Sequence, residues 1–542
     1  MATCAEVLAT TLREAGVTRM FGLPGGEILD LIEAARRAGI EFVLTRHEAV
    51  ASLMAEATGR LSGRPGVCVS TLGPGAVNLM LGVANAWLDR APLIAITATL
   101  ATTARPYGTH QDLDLNAIYR PFTKETLTLD GTDTAAAVRR AWRTAVTVRP
   151  GPVHLALPGD VARREDRRTG DPNAISLTPD PLPAPAAGAV AAMAAAIREA
   201  RRPAVILGVD LDPSTAPPIV RRFVEALGAP VFATPKAKGI LPEDHPQFLG
   251  ICGGLAGDAT VLDFLGRADL LIGVGFDPVE SDKLWHHTMR LVSIAPRTIA
   301  ARAFAPALEL TGDLLPSLSA LAAGPFGPGD WREEDFTAFR AALERTLRPS
   351  QPPVGGLSPW EVTRRVRERV PPETVVAADV GSIKLIVSQA WRTTQPGTFL
   401  ESNGLSTMGY ALPAAMAARL YAPERPALAF MGDGGFSMMI ADLETCVRLH
   451  LPLVVVVYND SALSLIQVAQ ERRGYPDLGV RYGDVDFSAA SRAFGAWARR
   501  VRTMAELDAA IDAAQAHDGP AVVEVLIDPA EYRAHAAAPR RP

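Results

Sequence analysis

The sequence of 542 residues contains only four cysteines, Cys4, Cys68, Cys252 and Cys446, and their spacing matches no metal-binding motif. So few scattered thiols argue against a disulfide-stabilised secreted domain and favour a reducing cytoplasm, where each cysteine is a small buried apolar residue. The N-terminal segment carries acidic residues and predicts a helix rather than a signal peptide.

The chain also lacks long apolar runs and a strong charge of either sign. No apolar run is long enough to cross a bilayer, so we expect no membrane partner. The net charge is −5 and the pI is near 6.1. This balance gives no electrostatic case for nucleic acid binding.

What the chain does contain is length and apolar content, with 48% hydrophobic residues. Helix-like and strand-like segments alternate, which predicts an α/β fold with parallel sheets covered on both faces. Proline- and alanine-rich stretches mark linkers and divide the chain into units at 1–170, 188–323 and 357–530. The tail from residue 530 to residue 542 is expected to be mobile.

The most informative stretch runs from Arg425 to Asp460. An apolar run, Ala427–Met431, ends in Gly432-Asp433-Gly434-Gly435, a helix is expected over Phe436–His450, and a β-branched run ends at Asn459. In a parallel sheet Asp433 and Asn459 would lie at the same edge, where open α/β sheets bind ligands. A carboxylate, an amide oxygen and close backbone approach at glycine suit a hard cation that holds a diphosphate.

This stretch resembles the magnesium-binding motif of thiamine diphosphate-dependent enzymes of the acetolactate synthase group, and the resemblance extends over nearly the whole chain. The family motif is GDG, then one helix and one strand, then Asn-Asn, whereas this chain has Asn459-Asp460. The resemblance implies that Asp433, Asn459 and the carbonyl of Ser461 bind Mg²⁺. It also implies three doubly wound parallel-sheet domains, which are pyrimidine-binding, central Rossmann-like and diphosphate-binding.

Glu48, in the segment RHEAVASLMAEATGR, is the second candidate. From the residues alone, a surface carboxylate near a helix N-terminus is an equal alternative. The segment resembles that of the family's catalytic glutamate, which hydrogen-bonds a ring nitrogen of the cofactor's aminopyrimidine. Because this glutamate and the diphosphate site belong to different subunits in the family, the resemblance implies a homodimer or homotetramer with active sites at the interface.

The resemblance assigns further site residues, with Gln111 joining Glu48 as a catalytic residue. Met408 matches the apolar residue that supports the bent cofactor, although a core methionine is the alternative. The other cofactor-binding positions are Pro24, Gly25, Thr71, Pro74, Asn78, Val380, Gly381, Ser382, Ser406, Gly432, Gly434, Gly435, Ala462 and Leu463. The substrate-pocket positions are Gly26, His110, Gln111, Ile383, Leu465 and Ile466.

The central unit carries the segment GVGFDP at 273–278, too short for a dinucleotide fingerprint. It resembles the corresponding segment of the flavin-free, catabolic acetolactate synthases. FAD is therefore expected to be absent, with FAD binding as the alternative. His286-His287 is expected to be a structural or surface pair. Lys236 and Lys238 are expected to be solvated, and contact with a substrate or nucleotide anion is the alternative.

The resemblance implies a carboligase that decarboxylates a 2-oxo acid and joins the product to a carbonyl acceptor. Family decarboxylases have a Glu where this chain has Ile466, and a His-His pair where it has His110-Gln111. Both departures remove proton donors and favour carboligation. Leu465, Ile383 and Glu27 differ from acetolactate synthases and leave the substrates open. The alternatives are a 2-oxo acid decarboxylase, a 2-hydroxyacyl-CoA or oxalyl-CoA-type lyase, and a catalytically silent regulatory homologue.

Overall fold

The computed structural model describes residues 2–104, 108, 110–280, 290–299, 305–324, 326–327, 329–348 and 352–535. The named strands of this part of the chain form three six-stranded sheets with parallel pairing throughout, and α-helices are interleaved with the strands. This arrangement confirms the predicted fold class of three doubly wound α/β sheets.

The first sheet holds the candidate glutamate segment. Its strands are β1 Arg19–Leu23, β2 Glu41–Leu44, β3 Gly66–Ser70, β4 Leu93–Thr99, β5 Glu125–Thr128 and β6 Pro152–Pro158. Its helices are α1 Cys4–Glu14, α2 Leu29–Arg37, α3 Glu48–Ser62, α4 Pro74–Asp89, α5 Leu115–Tyr119, α6 Thr134–Val146 and α7 Gly159–Arg163. The strand order is β2-β1-β3-β4-β6-β5.

The central sheet has the strand order of a Rossmann fold. Its strands are β7 Pro203–Leu207, β8 Val231–Ala233, β9 Phe248–Ile251, β10 Leu270–Val274, β11 Leu291–Ala295 and β12 Leu308–Thr311. Its helices are α8 Ala187–Glu199, α9 Pro217–Leu227, α10 Asp258–Leu265, α11 Leu314–Ala322 and α12 Glu333–Leu347. The order β12-β11-β10-β7-β8-β9 is that of two mononucleotide-binding halves that meet at β10 and β7.

The third sheet repeats the topology of the first. Its strands are β13 Val375–Ala378, β14 Phe399–Glu401, β15 Ala427–Gly432, β16 Val454–Asn459, β17 Trp497–Val501 and β18 Ala521–Leu526. Its helices are α13 Pro359–Arg369, α14 Ser382–Ala390, α15 Ala411–Tyr421, α16 Asp433–Met439, α17 Leu443–Arg448, α18 Ser464–Arg472, α19 Phe487–Ala493, α20 Met504–Ala516 and α21 Ala530–His535. The order β14-β13-β15-β16-β18-β17 matches that of the first sheet strand for strand.

The β-branched run in β16 shows why these segments become central strands. All six of its residues, Val454–Asn459, are buried. A strand with helices on both faces of its sheet has no solvent side, so a continuous apolar run fits it better than an alternating one. In both end sheets the strand order reverses between the first and third strands, and ligands bind at the carboxyl ends of strands at such a point.

Two local predictions are wrong. The helix expected over Phe436–His450 is broken into α16, a 3₁₀ turn at Ile440–Asp442, and α17. The tail expected to be mobile begins with the helix α21, in which Tyr532 is buried. Residues 536–542 of that tail lie outside the described part of the chain.

Two predictions from composition can be compared with the structure directly. All four cysteines are free and buried, which confirms their reading as small core residues. Within the described residues, no helix combines the length and the apolar character needed to cross a membrane.

Candidate active site

Asp433 and Asn459 meet at the carboxyl edge of the third sheet. Strands β15 and β16 are parallel neighbours, and Gly432 pairs with Tyr458, so the next residue of each strand emerges at the same point. Both side chains are buried. The amide of Ser461 donates to Asp433 Oδ2 at 2.7 Å and to Asn459 Oδ1 at 3.1 Å. The two side-chain oxygens therefore converge on one point of the turn after β16.

The orientation of the Asn459 amide is set by a buried ion pair that contacts its nitrogen. Its Nδ2 donates to Glu524 Oε1 at 2.7 Å, and the same oxygen accepts from Arg500 Nε at 2.9 Å. Glu524 is fully buried on β18. Since the amide nitrogen is held by a carboxylate, the amide oxygen faces Asp433, as a metal-binding role requires.

Burial raises the pKa of Asp433, and hydrogen bonds from Tyr482 and from the backbone amides of Gly434, Ser461 and Asp460 act against that rise. The Tyr482 hydroxyl donates to Oδ1, which also accepts from the Gly434 amide at 2.6 Å. Within the described part of the chain, this buried carboxylate accepts hydrogen bonds from a hydroxyl and backbone amides and pairs with no cationic side chain, an environment that suits a metal ion.

A cavity of about 200 Å³ opens beside this pair. The predicted site residues that line it are Val380, Gly381, Ser382, Ile383, Ser406, Met408, Gly432, Asp433, Gly434, Gly435, Ala462, Leu463, Leu465 and Ile466. The structure thus brings together segments that are separated by more than 80 positions in the chain.

The glycines of this edge divide into two kinds. A Cβ added to Gly381 or Gly432 would find no heavy atom within 4 Å, so the backbone there faces open space. A Cβ on Gly434 would lie 3.0 Å from Leu463 Cδ2, and one on Gly435 would lie 2.1 Å from Asp379 Oδ2. The first kind leaves room for a ligand against the backbone, whereas the second kind allows the protein to pack against itself.

Sequence reasoning missed four residues that line the cavity, Tyr458, Asp460, Ser464 and Tyr532. It also missed Tyr482, whose distance from Asp433 in the sequence gives no signal of contact. Burial raises the pKa of Asp460 to about 7, and the nearby Asp433 carboxylate adds to the rise. The Asp460 carboxylate accepts a hydrogen bond from Ser464. Asp460, which replaces the second Asn of the family motif, therefore lies at the cavity with one carboxylate oxygen held by Ser464.

Glu48 is buried at the start of α3 in the first domain. The helix is capped by His47, whose Nδ1 accepts from the Ala49 amide at 3.0 Å. Asn78, on α4, donates through Nδ2 to Glu48 Oε2 at 3.0 Å. The other carboxylate oxygen lies 3.1 Å from the position that a Cβ of Gly75 would occupy. One oxygen of Glu48 is thus held while the other borders the first turn of α4.

Other predicted residues of the first sheet gather around that turn. A Cβ on Gly25 would lie 2.5 Å from the Thr71 side chain, and a Cβ on Gly73 would lie 2.9 Å from Gln111 Nε2. Gly73 has a φ of +63°, a conformation that favours glycine, and Pro74 starts α4 immediately after it. Thr71, Gly25, Gln111 and Glu48 therefore surround one loop.

Four predicted residues of the first domain are exposed rather than buried in these clusters. Pro24, Gly26, Pro74 and His110 are exposed, and a Cβ on Gly26 would touch nothing within 4 Å. No described residue of the first sheet region lines the cavity beside Asp433. Within one protomer, the Glu48 cluster and the Asp433 cluster form two separate half-sites.

The expectation for the two lysines of the central domain is wrong. Lys236 is buried and pairs with Asp89 at 2.9 Å, and Lys238 is buried and pairs with Glu243 at 2.6 Å. These pairs cross between domains and between loops, which a sequence pattern does not reveal. His286-His287 lies outside the described residues.

Comparison with known proteins agrees with this geometry. Residues 2–118 match the thiamine pyrophosphate enzyme N-terminal TPP binding domain, residues 190–321 its central domain, and residues 379–525 its C-terminal TPP binding domain. The chain is 31% identical to an acetolactate synthase of Bacillus subtilis, over 97% of this chain and 93% of that protein. The chain belongs to the thiamine diphosphate-dependent enzyme family.

Two further relatives show the breadth of this family. A catabolic acetolactate synthase of Raoultella terrigena is 30% identical over 97% of this chain and 95% of its own length. A probable 2-ketoarginine decarboxylase of Pseudomonas aeruginosa is 30% identical over 96% of this chain and 94% of its own length. The protein is therefore a thiamine diphosphate-dependent enzyme related to acetolactate synthases, and at these identities its relatives catalyse more than one reaction.

The residues present fit the cofactor that the family implies. The convergent Asp433 and Asn459 oxygens are the hard ligands that Mg²⁺ prefers. The open backbone at Gly381 and Gly432 leaves space for a diphosphate close to the start of a helix.

Proposed function

We propose that this protein is a thiamine diphosphate- and Mg²⁺-dependent carboligase that acts on a 2-oxo acid, with decarboxylation followed by C–C bond formation. The observation that carries the proposal is the convergence of the Asp433 and Asn459 oxygens beside a glycine-lined cavity. The buried Glu48–Asn78 pair supplies the second half of the machinery.

The chain's own residues divide the binding task. Asp433 and Asn459 would bind Mg²⁺ through side-chain oxygens and Ser461 through its carbonyl, which accepts from the Tyr482 amide at 3.2 Å. Gly381 and Gly432 would admit the diphosphate, and Met408, at the cavity wall, would support the rings. When bound, the cofactor supplies the electron sink for loss of CO₂ from the 2-oxo acid.

Glu48 would exchange a proton with a ring nitrogen of the cofactor's aminopyrimidine. Asn78 donates to one of its oxygens and so orients the carboxyl group, leaving the other oxygen toward the turn that begins α4. A buried carboxyl group in hydrogen-bond reach of its proton acceptor is the arrangement that general acid–base catalysis requires.

The complete site would form between protomers of a homodimer or homotetramer. Large apolar side chains are exposed beside both half-sites, with Val77 at 40%, Leu113 at 44%, Met438 at 60% and Ile466 at 51%. Val77 lies one residue before Asn78, and Ile466 lines the cavity. Exposed apolar surface next to each incomplete half-site supports a partner that covers both.

Carboligation is preferred over simple decarboxylation because the positions that would supply a proton are changed. Ile466 is apolar where family decarboxylases have a Glu, and Gln111 replaces a His. A 2-oxo acid decarboxylase is the second candidate, favoured by the decarboxylase among the relatives. Intact Glu48, Asp433 and Asn459 argue against a silent regulatory homologue, and a CoA-type lyase is a third outcome of the same assay.

The proposal includes no flavin and a cytoplasmic location. The segment 273–278, which resembles that of the flavin-free enzymes, supports the first point. Its Asp277 is buried and pairs with Arg90 at 2.8 Å and with Arg297 at 3.1 Å. The four free, buried thiols support the second. A visible absorbance spectrum of the purified protein tests for bound flavin.

One assay separates the reactions. The protein is incubated with pyruvate, thiamine diphosphate and Mg²⁺, and the products are identified by mass. Acetolactate with CO₂ supports the carboligase, acetaldehyde alone supports the decarboxylase, and no CO₂ from any 2-oxo acid overturns the proposal. The mass of the particle in solution, with and without cofactor, tests the oligomer.

A further inference from the structure

Glu27 is an exposed acidic residue next to the loop that carries Thr71. It lies in the 3₁₀ turn Gly26–Ile28, directly after the turn that ends β1. Its Oε2 accepts a hydrogen bond from the Thr71 hydroxyl at 2.7 Å, and the residue is otherwise exposed. Its carboxylate is thus tied to the loop that the catalytic cluster surrounds.

Thr71 links Glu27 to the surroundings of Glu48. Thr71 Cγ2 and Glu48 Oε1 each lie 3.1 Å from the position that a Cβ of Gly75 would occupy. Glu27 contacts Thr71 from the other side. Two carboxylates therefore flank one turn, and Gln111 packs over Gly73 in that turn.

No cation neutralises Glu27 in the described part of the chain, where no Lys, Arg or His nitrogen lies within 4 Å of its carboxylate. The arginines of the nearby α7 have acidic partners of their own. Arg163 lies 4.0 Å from Asp30, and Arg164 pairs with Asp160. Among the described residues, the carboxylate of Glu27 is therefore not paired with a cation.

We propose that Glu27 is a specificity residue and that the donor substrate is a 2-oxo acid whose side chain ends in a cation, such as a guanidinium group. This inference rests on the proposed function, because Glu27 can meet a substrate only if the reaction occurs beside Glu48. A simple 2-oxo acid is an anion that a nearby carboxylate repels, whereas a cationic side chain offsets that repulsion through a charge-assisted hydrogen bond.

The other half-site agrees with such a substrate. Its predicted substrate-pocket residues, Ile383, Leu465 and Ile466, all line the cavity and are apolar. They give surface for a hydrocarbon stem and no group that binds a charged terminus. The carboxylates of this cavity are Asp433, a proposed metal ligand, and Asp460, which accepts a hydrogen bond from Ser464. Recognition of the substrate's charge is therefore assigned to the exposed Glu27 of the first domain.

The test uses the holoenzyme with thiamine diphosphate and Mg²⁺, and a matched pair of 2-oxo acids. One carries a guanidino terminus and the other a ureido terminus, which has the same shape but no charge. We expect kcat/KM for CO₂ release to be at least about tenfold higher for the guanidino acid. The Glu48→Gln holoenzyme would not turn over, so calorimetry can measure binding of both acids to it. We expect the dissociation constant of the guanidino acid to be lower than that of the ureido acid by a similar factor.

Variants isolate the charge from the hydrogen bond. Glu27→Gln keeps an acceptor for Thr71 but removes the charge. The kcat/KM values for the guanidino and ureido acids should then differ by no more than about threefold. Glu27→Lys should reverse the preference. Glu33→Gln, which changes net charge by the same amount on an exposed face of α2, should leave the ratio unchanged.

The outcomes distinguish this inference from the proposed function. Turnover of pyruvate without preference for the guanidino acid, or a preference that survives Glu27→Gln, overturns the role of Glu27 and leaves the proposed function standing. Failure of every 2-oxo acid to release CO₂, despite bound cofactor, overturns the proposed function and the inference with it.

Discussion

The hydroxyl of Tyr482 donates a hydrogen bond to Asp433 Oδ1, the carboxylate that would bind the metal ion. The backbone amide of the same tyrosine donates to the carbonyl of Ser461 at 3.2 Å, the other proposed metal ligand of that turn. One residue thus engages two of the three proposed metal ligands. Its phenol donates to Oδ1, whereas Oδ2 is the oxygen that converges with Asn459, so the phenol and a bound cation would share the negative charge of one carboxylate.

Tyr482→Phe should tighten the binding of Mg²⁺ and thiamine diphosphate. The variant keeps the ring and the backbone contact and removes only the competing donor, a hydrogen bond with a net value of about 1 kcal/mol, which corresponds to roughly fivefold in affinity. Titration of the cofactor followed by intrinsic fluorescence measures the change. With a chelator present the two proteins should bind equally weakly, and an unchanged or weaker affinity in Mg²⁺ would contradict the competition.

Glu48→Gln should abolish turnover and leave cofactor binding nearly intact. The amide keeps an acceptor for Asn78, so the helix start and its hydrogen bond survive, but it offers no carboxyl proton to the aminopyrimidine. We expect at least about a hundredfold loss in kcat, as for other general acid–base groups. Initial rates and calorimetric cofactor titration are measured on the same preparation. Near-normal turnover would sink the assignment.

Two neighbouring glycines should respond differently to the same substitution. Gly432→Ala adds a methyl group into open space at a φ of −74°, so it should leave the melting temperature unchanged and weaken cofactor binding by at least about tenfold through loss of space. Gly435→Ala places a Cβ 2.1 Å from Asp379 Oδ2, so it should destabilise the protein by about 1–3 kcal/mol. Thermal unfolding without cofactor, paired with cofactor titration, separates the two. Equal losses of stability would contradict the open backbone at Gly432.

Glu280 should make stability fall as pH rises. Burial raises the pKa of its carboxyl group to about 8, well above the value of about 4.3 for an unfolded glutamate. Between those values the folded state holds a proton that the unfolded state has lost, so its contribution is fully present at low pH and disappears as pH rises through the folded pKa.

Glu280→Gln is the matched variant for that prediction. It keeps an acceptor for the Val209 amide, which donates to Glu280 at 2.8 Å, and does not titrate. We expect it to gain unfolding free energy relative to the parent protein as pH rises from about 5 to about 9, on the order of a few kcal/mol. Urea unfolding across that range measures the difference. Parallel pH profiles would rule out a raised pKa at Glu280.

The sequence predicted the fold class because the secondary structure of long, strongly patterned segments can be recognised from the local pattern alone. The Val-rich β16 and the alternation of helices and strands imply parallel sheets. Short strands such as β9, β11 and β12 follow less clearly from the sequence, because a brief apolar run does not distinguish a strand from a buried helix. The helix expected over Phe436–His450 breaks where the Asp442 carboxylate accepts from the Arg46 amide at 2.9 Å.

The candidate site was predictable where its residues follow strands. Asp433 and Asn459 end neighbouring strands, so parallel pairing alone brings them together. Tyr482 and Tyr532 were not predictable, since no spacing rule connects a loop or a tail helix to the cavity. Lys236 was misread because its partner Asp89 lies in another domain.

By itself the sequence determined which oxygens and glycines lie at the ends of strands. The residues that follow each strand can be read from the chain, and parallel pairing places the ends of neighbouring strands at the same edge of the sheet. Only the tertiary structure decided how those groups are oriented and what competes for them. Glu524 accepts from the Asn459 amide and so orients it, and the Tyr482 hydroxyl donates to Asp433. The Thr71 hydroxyl donates to Glu27 near the Glu48 cluster. These contacts join residues distant in sequence, so packing selects them and local pattern does not.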